Sequence, residues 1–189
     1  MASSKFSHVI GFDDAPFERH HRGDVMIIGA YYAGNRLDGI LSGKVRRDGA
    51  NSTSTLTRLI AGSRFYPQIQ AILLQGIAFA GFNVIDIHGL HQALDRPVVV
   101  VTRRLPNLEK IRDALLGHVP GGRRKWRLIE RAGPMEPIDR VYVQRAGLSM
   151  PQTKALIQAH TLHSGLPEPL RTAHIVAGGV SRGENTHRA

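Results

Sequence analysis

Two adjacent acids, Asp13 and Asp14, follow a short apolar run at residues 8–12 and precede Pro16. An apolar run that stops at acids and a proline predicts a strand that ends there. Carboxylates at a strand end can bind Mg²⁺, which takes oxygen ligands and often uses one or two carboxylates plus water and phosphate. Two such ions ~3.5–4 Å apart would stabilise the attacking and leaving oxygens in phosphodiester cleavage. The alternative is that the two acids only cap a turn.

Histidine pairs offer a second possible set of ligands. His88 and His91 lie three residues apart on one predicted helix, after Asp86, and His160 and His163 repeat the spacing on another. Residues at that spacing share a helix face, so a mixed ligand set is conceivable. In a chain with ten histidines such pairs also arise by chance, which favours ordinary structural roles.

The charge is strongly positive and uneven. Twenty-five Lys and Arg face fifteen Asp and Glu, a net charge of +10. Residues 103–131 hold nine basic residues against three acids, a net charge of +6. Such a field favours polyanions, nucleic acid first and anionic membranes second, although it could also serve solubility. The candidate phosphate contacts are Arg103, Arg104, Arg123, Arg124 and Lys125, and Trp126 is a candidate either for stacking on a base or for core packing.

Length and composition limit the remaining classes. The 189 residues are 42% hydrophobic and 21% charged, which predicts one globular domain over residues 1–189 with a polar tail over 181–189. The absence of cysteine excludes disulfides, thiolate metal sites and a cysteine nucleophile. Residues 1–7 lead into no apolar stretch, and no run approaches the ~18 residues of a membrane span. We therefore expect a cytoplasmic protein that does not bind membranes.

The first half of the chain predicts strands before helices. Residues 25–46 indicate a hairpin with its turn at Gly34 and Asn35. A helix is predicted over 54–65, with Ser52 or Thr53 as its cap. The nearly continuous apolar run at 69–77 indicates a strand covered on both faces.

The second half alternates helices and strands, which is typical of a sheet with helical crossovers. We predict, in order, a helix over 86–94, a strand over 98–101, a helix over 107–117, a loop over 118–124, short strands over 126–129 and 140–143, a helix over 152–163 and another helix after Pro169.

Four segments resemble the endonuclease dU family, a group of small relatives of endonuclease V. They are GFDDAPF (11–17), IIGAYYAGNRLDGILSGKVRRDG (27–49), LLQGIAFAGFNVIDI (73–87) and GLPEPLRTAHIVAGGVSRGE (165–184). The resemblance covers residues 8–185 and implies an α/β, ribonuclease H-like fold: a mixed sheet of three antiparallel strands followed by parallel strands, flanked by helices. It also implies descent from Mg²⁺- or Mn²⁺-dependent endonucleases that act on DNA with deaminated bases.

The resemblance extends to particular residues. Asp13 or Asp14 matches the acid that ends the family's first strand. Gln75 stands where the family usually has Asp, and Asn51 where it often has a second acid. An amide keeps an oxygen ligand but loses the negative charge that favours a hard cation. The resemblance thus implies a metal site at Asp13 and Asp14, with Gln75 as the third catalytic position.

Three functions remain open on these grounds. The first is an active metal-dependent endodeoxyribonuclease, and the second is a relative that has lost catalysis but still binds nucleic acid. The third is a partner-binding scaffold, because a fold does not fix a function. An acid at position 75 would favour catalysis, and Gln75 leaves the choice open.

Overall fold

Strands make up the centre of the molecule, and the computed structural model describes them within residues 6–163 and 165–185. In chain order they are β1 (His8–Asp14), β2 (Asp24–Ala33), β3 (Arg36–Arg46), β4 (Ala71–Gln75), β5 (Ala78–Phe79), β6 (Asn83–Val84), β7 (Val98–Thr102), β8 (Glu136–Ile138) and β9 (Val141–Ala146). The helices are α1 (Ser52–Ala61), α2 (Ile87–Leu94), α3 (Leu108–His118), α4 (Gly122–Ala132), α5 (Met150–His160) and α6 (Glu168–Arg182).

Seven of the described strands form one mixed sheet in the order β3-β2-β1-β4-β7-β9-β8. The first three are antiparallel, as the predicted hairpin requires, and β1, β4 and β7 are parallel. Strand β9 returns antiparallel to β7 and pairs with β8. The α/β, ribonuclease H-like mixed sheet predicted from the sequence is confirmed.

Helices cover both faces of the central strands, which explains why apolar and polar residues do not alternate along β4 and β7. Successive residues of these strands pack into different clusters: Ile72 and Leu74 belong to one and Leu73 to another. All four valines of β7 are at most 1% exposed. A strand buried on both faces is expected to be apolar throughout.

The prediction for residues 118–129 is wrong. A loop over 118–124 and a strand over 126–129 were expected, but helix α4 runs from Gly122 to Ala132. Its buried residues are Gly122, Lys125, Ile129 and Ala132, which are three or four residues apart and therefore share one helix face. Two of those four are not large apolar residues, so the helical period is hidden in the sequence.

Helix ends differ from the predicted bounds by local causes. Helix α1 ends at Ala61 because Gly62 caps it, and not at residue 65. Helix α5 begins at Met150, where Ser149 and Gln152 form a reciprocal capping box, and ends at His160. Of the predicted polar tail, residues 186–189 lie outside the described residues, as do residues 1–5 of the predicted N-terminal segment. None of the helices described combines the length and apolarity needed to cross a membrane.

Candidate metal and nucleic-acid site

The acid pair lies at the edge of the sheet where the parallel strands end. Strands β1 and β4 are neighbours, and their register pairs Phe12 with Leu74. One residue further on, Asp13 falls beside Gln75, about one strand spacing of ~4.8 Å away. Paired residues of neighbouring strands share a sheet face, so Asp13 and Gln75 project to the same side.

Helix α6 packs directly on β1 and brings His174 to Asp13. A Cβ at Gly11 would come within 2.6 Å of the Pro169 backbone, so only glycine allows this approach. From Gly11 to Asp13 the strand advances ~6.6 Å, and from Leu170 to His174 the helix advances ~6 Å. Because these two distances are nearly equal, the close contact at Gly11 also brings His174 level with Asp13.

The Asp13 carboxyl is buried, and each of its two oxygens accepts one hydrogen bond. His174 Nδ1 donates to its Oδ2 at 2.8 Å, and the Asp14 amide donates to its Oδ1 at 2.9 Å. Burial raises the pKa of Asp13 above its ordinary value, while the hydrogen bond and the charge of His174 oppose that rise. A carboxyl held in this way has one fixed orientation.

Asp14 is held by the loop that follows β4. The Ala80 amide donates to Asp14 Oδ2 at 2.7 Å. Burial, followed by repulsion from the Asp13 charge, raises the pKa of Asp14 to about 7. Ala80 has a φ of 48°, a left-handed conformation that is costly for a residue with a side chain. Such strain persists only where the surrounding structure holds the residue in place, and it is found mainly at functional sites.

Gln75 supplies an oxygen that the protein leaves unused. Its Oε1 is buried and accepts no hydrogen bond from any residue described. Buried polar atoms nearly always have a partner, so an orphan indicates an absent water or ion. Within residues 6–163 and 165–185 no three His, Asp or Glu side chains group closely enough to hold a metal. The carboxylates of Asp13 and Asp14 and the amide oxygen of Gln75 are oxygen donors of the type that Mg²⁺ and Mn²⁺ bind.

Asn51 has a structural role at the position where the resemblance suggests a second acid. Its Oδ1 accepts from the Arg46 amide at 3.0 Å and from Asn83 Nδ2 at 2.8 Å. Asn83 Oδ1 in turn accepts from the Ser52 amide at 2.9 Å. The Asn51 oxygen is therefore occupied in joining β3 to β6, and the Asn83 oxygen joins β6 to α1.

Hydrogen bonds through the backbone of Ala80 link Asp48 to Asp14. The Asp48 amide donates to Ala80 O at 2.9 Å, and the amide of the same Ala80 donates to Asp14. Its Oδ1 accepts from the Phe82 amide at 2.8 Å. Asp48 thus fixes the loop after β4 against the end of β3.

Four of the five predicted phosphate contacts are exposed. Arg103 and Arg104 follow β7, whose end lies at the same sheet edge as Gln75. Arg123 and Arg124 lie in the first turn of α4. Lys125 differs: it is only 5% exposed, its Nζ donates to Asp48 O at 2.5 Å, and burial lowers its pKa. The structure therefore assigns Lys125 to supporting Asp48, a correction to its predicted contact with phosphate.

The Trp126 side chain packs against apolar residues of the fold. It lies against the cluster of Val84, Leu115 and Ile129 and donates from Nε1 to Glu130 at 2.7 Å. Of the two roles that the sequence leaves open, the geometry favours core packing.

Three of the four paired histidines form hydrogen bonds with backbone oxygens. His88 bonds Arg131 O at 3.0 Å, and His91 bonds Arg96 O at 2.8 Å. His160 is buried and bonds Phe6 O at 2.7 Å. Asp86 caps α2 through the Gly89 amide and pairs with Arg131. Neither pair forms a ligand set within the described residues.

Sequence reasoning missed His174 and Asp48 as parts of the site. His174 belongs to the PEPLRTAH segment that carries the resemblance, and Asp48 is the next-to-last residue of the 27–49 segment. Their presence in those segments was the available signal. Their contacts, however, join residues far apart in the chain: 161 positions separate His174 from Asp13.

The protein belongs to the class of ribonuclease H-like α/β folds, with an acid pair at the end of its central strand β1. Solved structures share its architecture. An endonuclease V of Ciona intestinalis, in complex with a 23mer DNA containing an inosine followed by a ribo-adenosine, is 14% identical with a TM-score of 0.59, covering 92% of this chain and 85% of its own. Human endonuclease V is 17% identical with a TM-score of 0.57, covering 92% and 84%. At such identities the likeness concerns the fold.

The chain belongs to the endonuclease dU family, whose profile matches residues 5–181. A UPF0215 protein of Deinococcus radiodurans is 55% identical over 184 residues, covering 97% of this chain and 94% of the relative. One of Methanothermobacter thermautotrophicus is 39% identical, covering 94% and 89%. A crystal structure of a protein of unknown function from Archaeoglobus fulgidus is 31% identical with a TM-score of 0.87, covering 93% and 99%.

Proposed function

We propose that this protein binds DNA and, with Mg²⁺ or Mn²⁺ held by Asp13, Asp14 and Gln75, hydrolyses a phosphodiester bond near a deaminated base. The observation that carries the proposal is the unpartnered Oε1 of Gln75, about one strand spacing from the buried Asp13 carboxyl. The fold that the chain shares with endonuclease V, and its net charge of +10, support the same substrate class.

The three oxygen donors would hold the cation at the end of β1 and β4. Bound there, a divalent cation lowers the pKa of a water and stabilises negative charge on the phosphodiester. Asp13 and Asp14 supply the anionic charge, and Gln75 contributes only a dipole. The cation would also relieve the repulsion that holds one proton on the acid pair.

The chain's own residues position the reaction. His174 orients the Asp13 carboxyl and favours its ionised form. The Ala80 amide does the same for Asp14, since it donates to that carboxylate. Arg103 and Arg104 extend from the same sheet edge, where their guanidinium groups can bind phosphate oxygens.

An apolar slot beside Gly76 offers room for a single base. Its volume is about 210 Å³, below the ~300–1,000 Å³ of pockets for drug-sized ligands. Ile77, Phe82 and Leu108 contribute apolar lining, and Thr102 adds a buried Oγ1 that lacks a partner. A base turned out of a helix is bound by stacking on apolar side chains and by hydrogen bonds to its edge. The slot, whose lining begins at the residue after Gln75, therefore supports recognition of an altered base.

The second candidate is nucleic-acid binding without cleavage. It rests on one observation, that position 75 is a neutral glutamine, where the resemblance implies an acid. Losing one anionic ligand weakens the binding of a hard cation, while the basic surfaces are unaffected.

Nicking of duplex DNA with one deoxyuridine or deoxyinosine tests the proposal. With Mn²⁺ the native chain should nick the altered strand, and Asp13→Asn should lower the rate by more than the ~10–100-fold typical of losing an outer-shell partner. The loss in nicking rate for His174→Ala should lie within that range. The control Asp139→Asn, at an exposed acid, should nick at the native rate. Binding without nicking in the native chain, with nicking gained by Gln75→Asp, would establish the second candidate instead. Equal rates for native and Asp13→Asn would exclude this site.

A further inference from the structure

A second basic surface lies on the side of Asp48 away from α4. It is an open cleft of about 360 Å³ between the β1–β2 loop and the end of β3. Its lining residues, with Asp48 at one end, are Arg19, His20, His21, Arg22, Arg46 and Arg47. We call these six residues the β1–β2 basic cleft; four are arginines, against the single carboxylate of Asp48.

Arg47 fixes the shape of this cleft. Its Nη1 donates to His21 O, and its backbone amide donates to Gly23 O at 3.1 Å. Its guanidinium stacks over the Phe17 ring at 5.6 Å, and its Nε lies 3.4 Å from Asp48 Oδ2. The loop is thereby tied to β3 from several directions, so its basic side chains project from a preformed support.

The remaining arginines are available to a ligand. Arg19 and Arg22 are exposed, and neither makes an ion pair within the described residues. Arg46 is exposed too, with only a 3.8 Å pair to Asp24. Uncompensated positive charges held close together repel one another, and a bound anion would relieve that repulsion.

The cleft adjoins the acid pair by a short path. Asp48, at its end, donates from its amide to Ala80 O, and the Ala80 amide donates to Asp14. On the other side of Asp48 a cleft of about 500 Å³ includes Arg124. Arginines therefore line clefts on both sides of Asp48, which hydrogen bonds through Ala80 link to Asp14, and an extended polyanion could contact both clefts.

We infer that the β1–β2 basic cleft binds phosphodiester groups of the same nucleic-acid strand that the acid pair would cleave. The inference rests on the proposed function. A single small anion would engage one or two of these side chains, whereas successive phosphates along a strand can engage Arg19, Arg22 and Arg46 together. Contacts of this kind position a backbone without reading its sequence.

Salt titrations of a charge-matched pair of variants test the inference. Fluorescein-labelled duplex DNA is titrated in EDTA, by anisotropy, at several NaCl concentrations. Arg19→Ser with Arg22→Ser should make the log–log salt slope less negative by about 1–2 units, at ~0.9 per lost phosphate contact. Arg36→Ser with Arg64→Ser removes the same charge from other exposed positions and should keep the native slope. Thermal melts verify that both variants fold.

The outcomes separate the cleft from the proposed function. If the native chain binds DNA and the two variants have equal salt slopes, the inference about the cleft is wrong, while the proposed function is unaffected. Absence of native binding at low salt would overturn both. In a third arm, inorganic phosphate replaces chloride at constant ionic strength. Displacement of DNA from the native chain but not from the cleft variant would identify a single-anion site and overturn the inference.

Discussion

Asp14 is the side chain whose protonation the fold controls most clearly. Its pKa rises from 3.8 to about 7, because burial and the Asp13 charge disfavour the ionised form. Between about pH 4 and about pH 7 the unfolded chain releases a proton that the folded chain keeps. The free energy of unfolding therefore falls as pH rises through that window. In metal-free buffer, Asp14→Asn should remove a decline on the order of a few kcal/mol.

Urea unfolding on both sides of this window measures the effect. Asparagine keeps an oxygen for the Ala80 amide, so the variant removes the ionisation with little change in contacts. The control is Asp113→Asn, at an exposed acid with a 3.4 Å pair to Arg112, which should follow the native pH profile. Identical profiles for native and Asp14→Asn would show that Asp14 ionises normally in the fold.

Helix α4 depends on a glycine at its contact with α3. A Cβ added at Gly122 would lie 1.6 Å from Leu115 O, a backbone atom that cannot move alone. Gly122→Ala should therefore separate the helices and destabilise the fold by about 1–3 kcal/mol, the usual cost of overpacking. Gly117→Ala meets nothing within 4 Å in α3 and should stabilise the chain by about 0.5–1 kcal/mol. Chemical denaturation of both variants checks the opposite signs; a stable Gly122→Ala would refute the contact.

The same helix shows which elements the sequence reveals. The hairpin at 25–46 and the strand at 98–101 are predictable, because β-branched runs and a Gly-Asn turn are local signals. Helix α4 is not, because its buried face includes Gly122, which packs on Leu115, and Lys125, which bonds Asp48 at a distance of 77 residues in sequence. The acids of the candidate site could also be identified from local signals, because Asp13 and Asp14 end a strand that its apolar residues predict. His174 reaches them only through tertiary packing.

At the scale of the whole molecule, the net charge of +10 includes arginines on two clefts that meet at Asp48. Arg123 and Arg124 represent the surface on α4, and Arg19 and Arg22 the β1–β2 basic cleft. If one nucleic-acid strand spans both, each surface neutralises different phosphates. Effects of separate sites that share no contacts add.

Combining the variants should therefore give additive losses in salt dependence. Arg123→Ser with Arg124→Ser, and Arg19→Ser with Arg22→Ser, should each make the log–log slope less negative by up to about 1.8 units on duplex DNA. The fourfold variant, whose net charge falls from +10 to +6, should lose the sum of the two changes. Anisotropy titrations over several NaCl concentrations measure all four proteins. A fourfold variant that loses no more than either double variant would mean that both surfaces compete for the same phosphates, so that no strand passes from one to the other across Asp13 and Asp14.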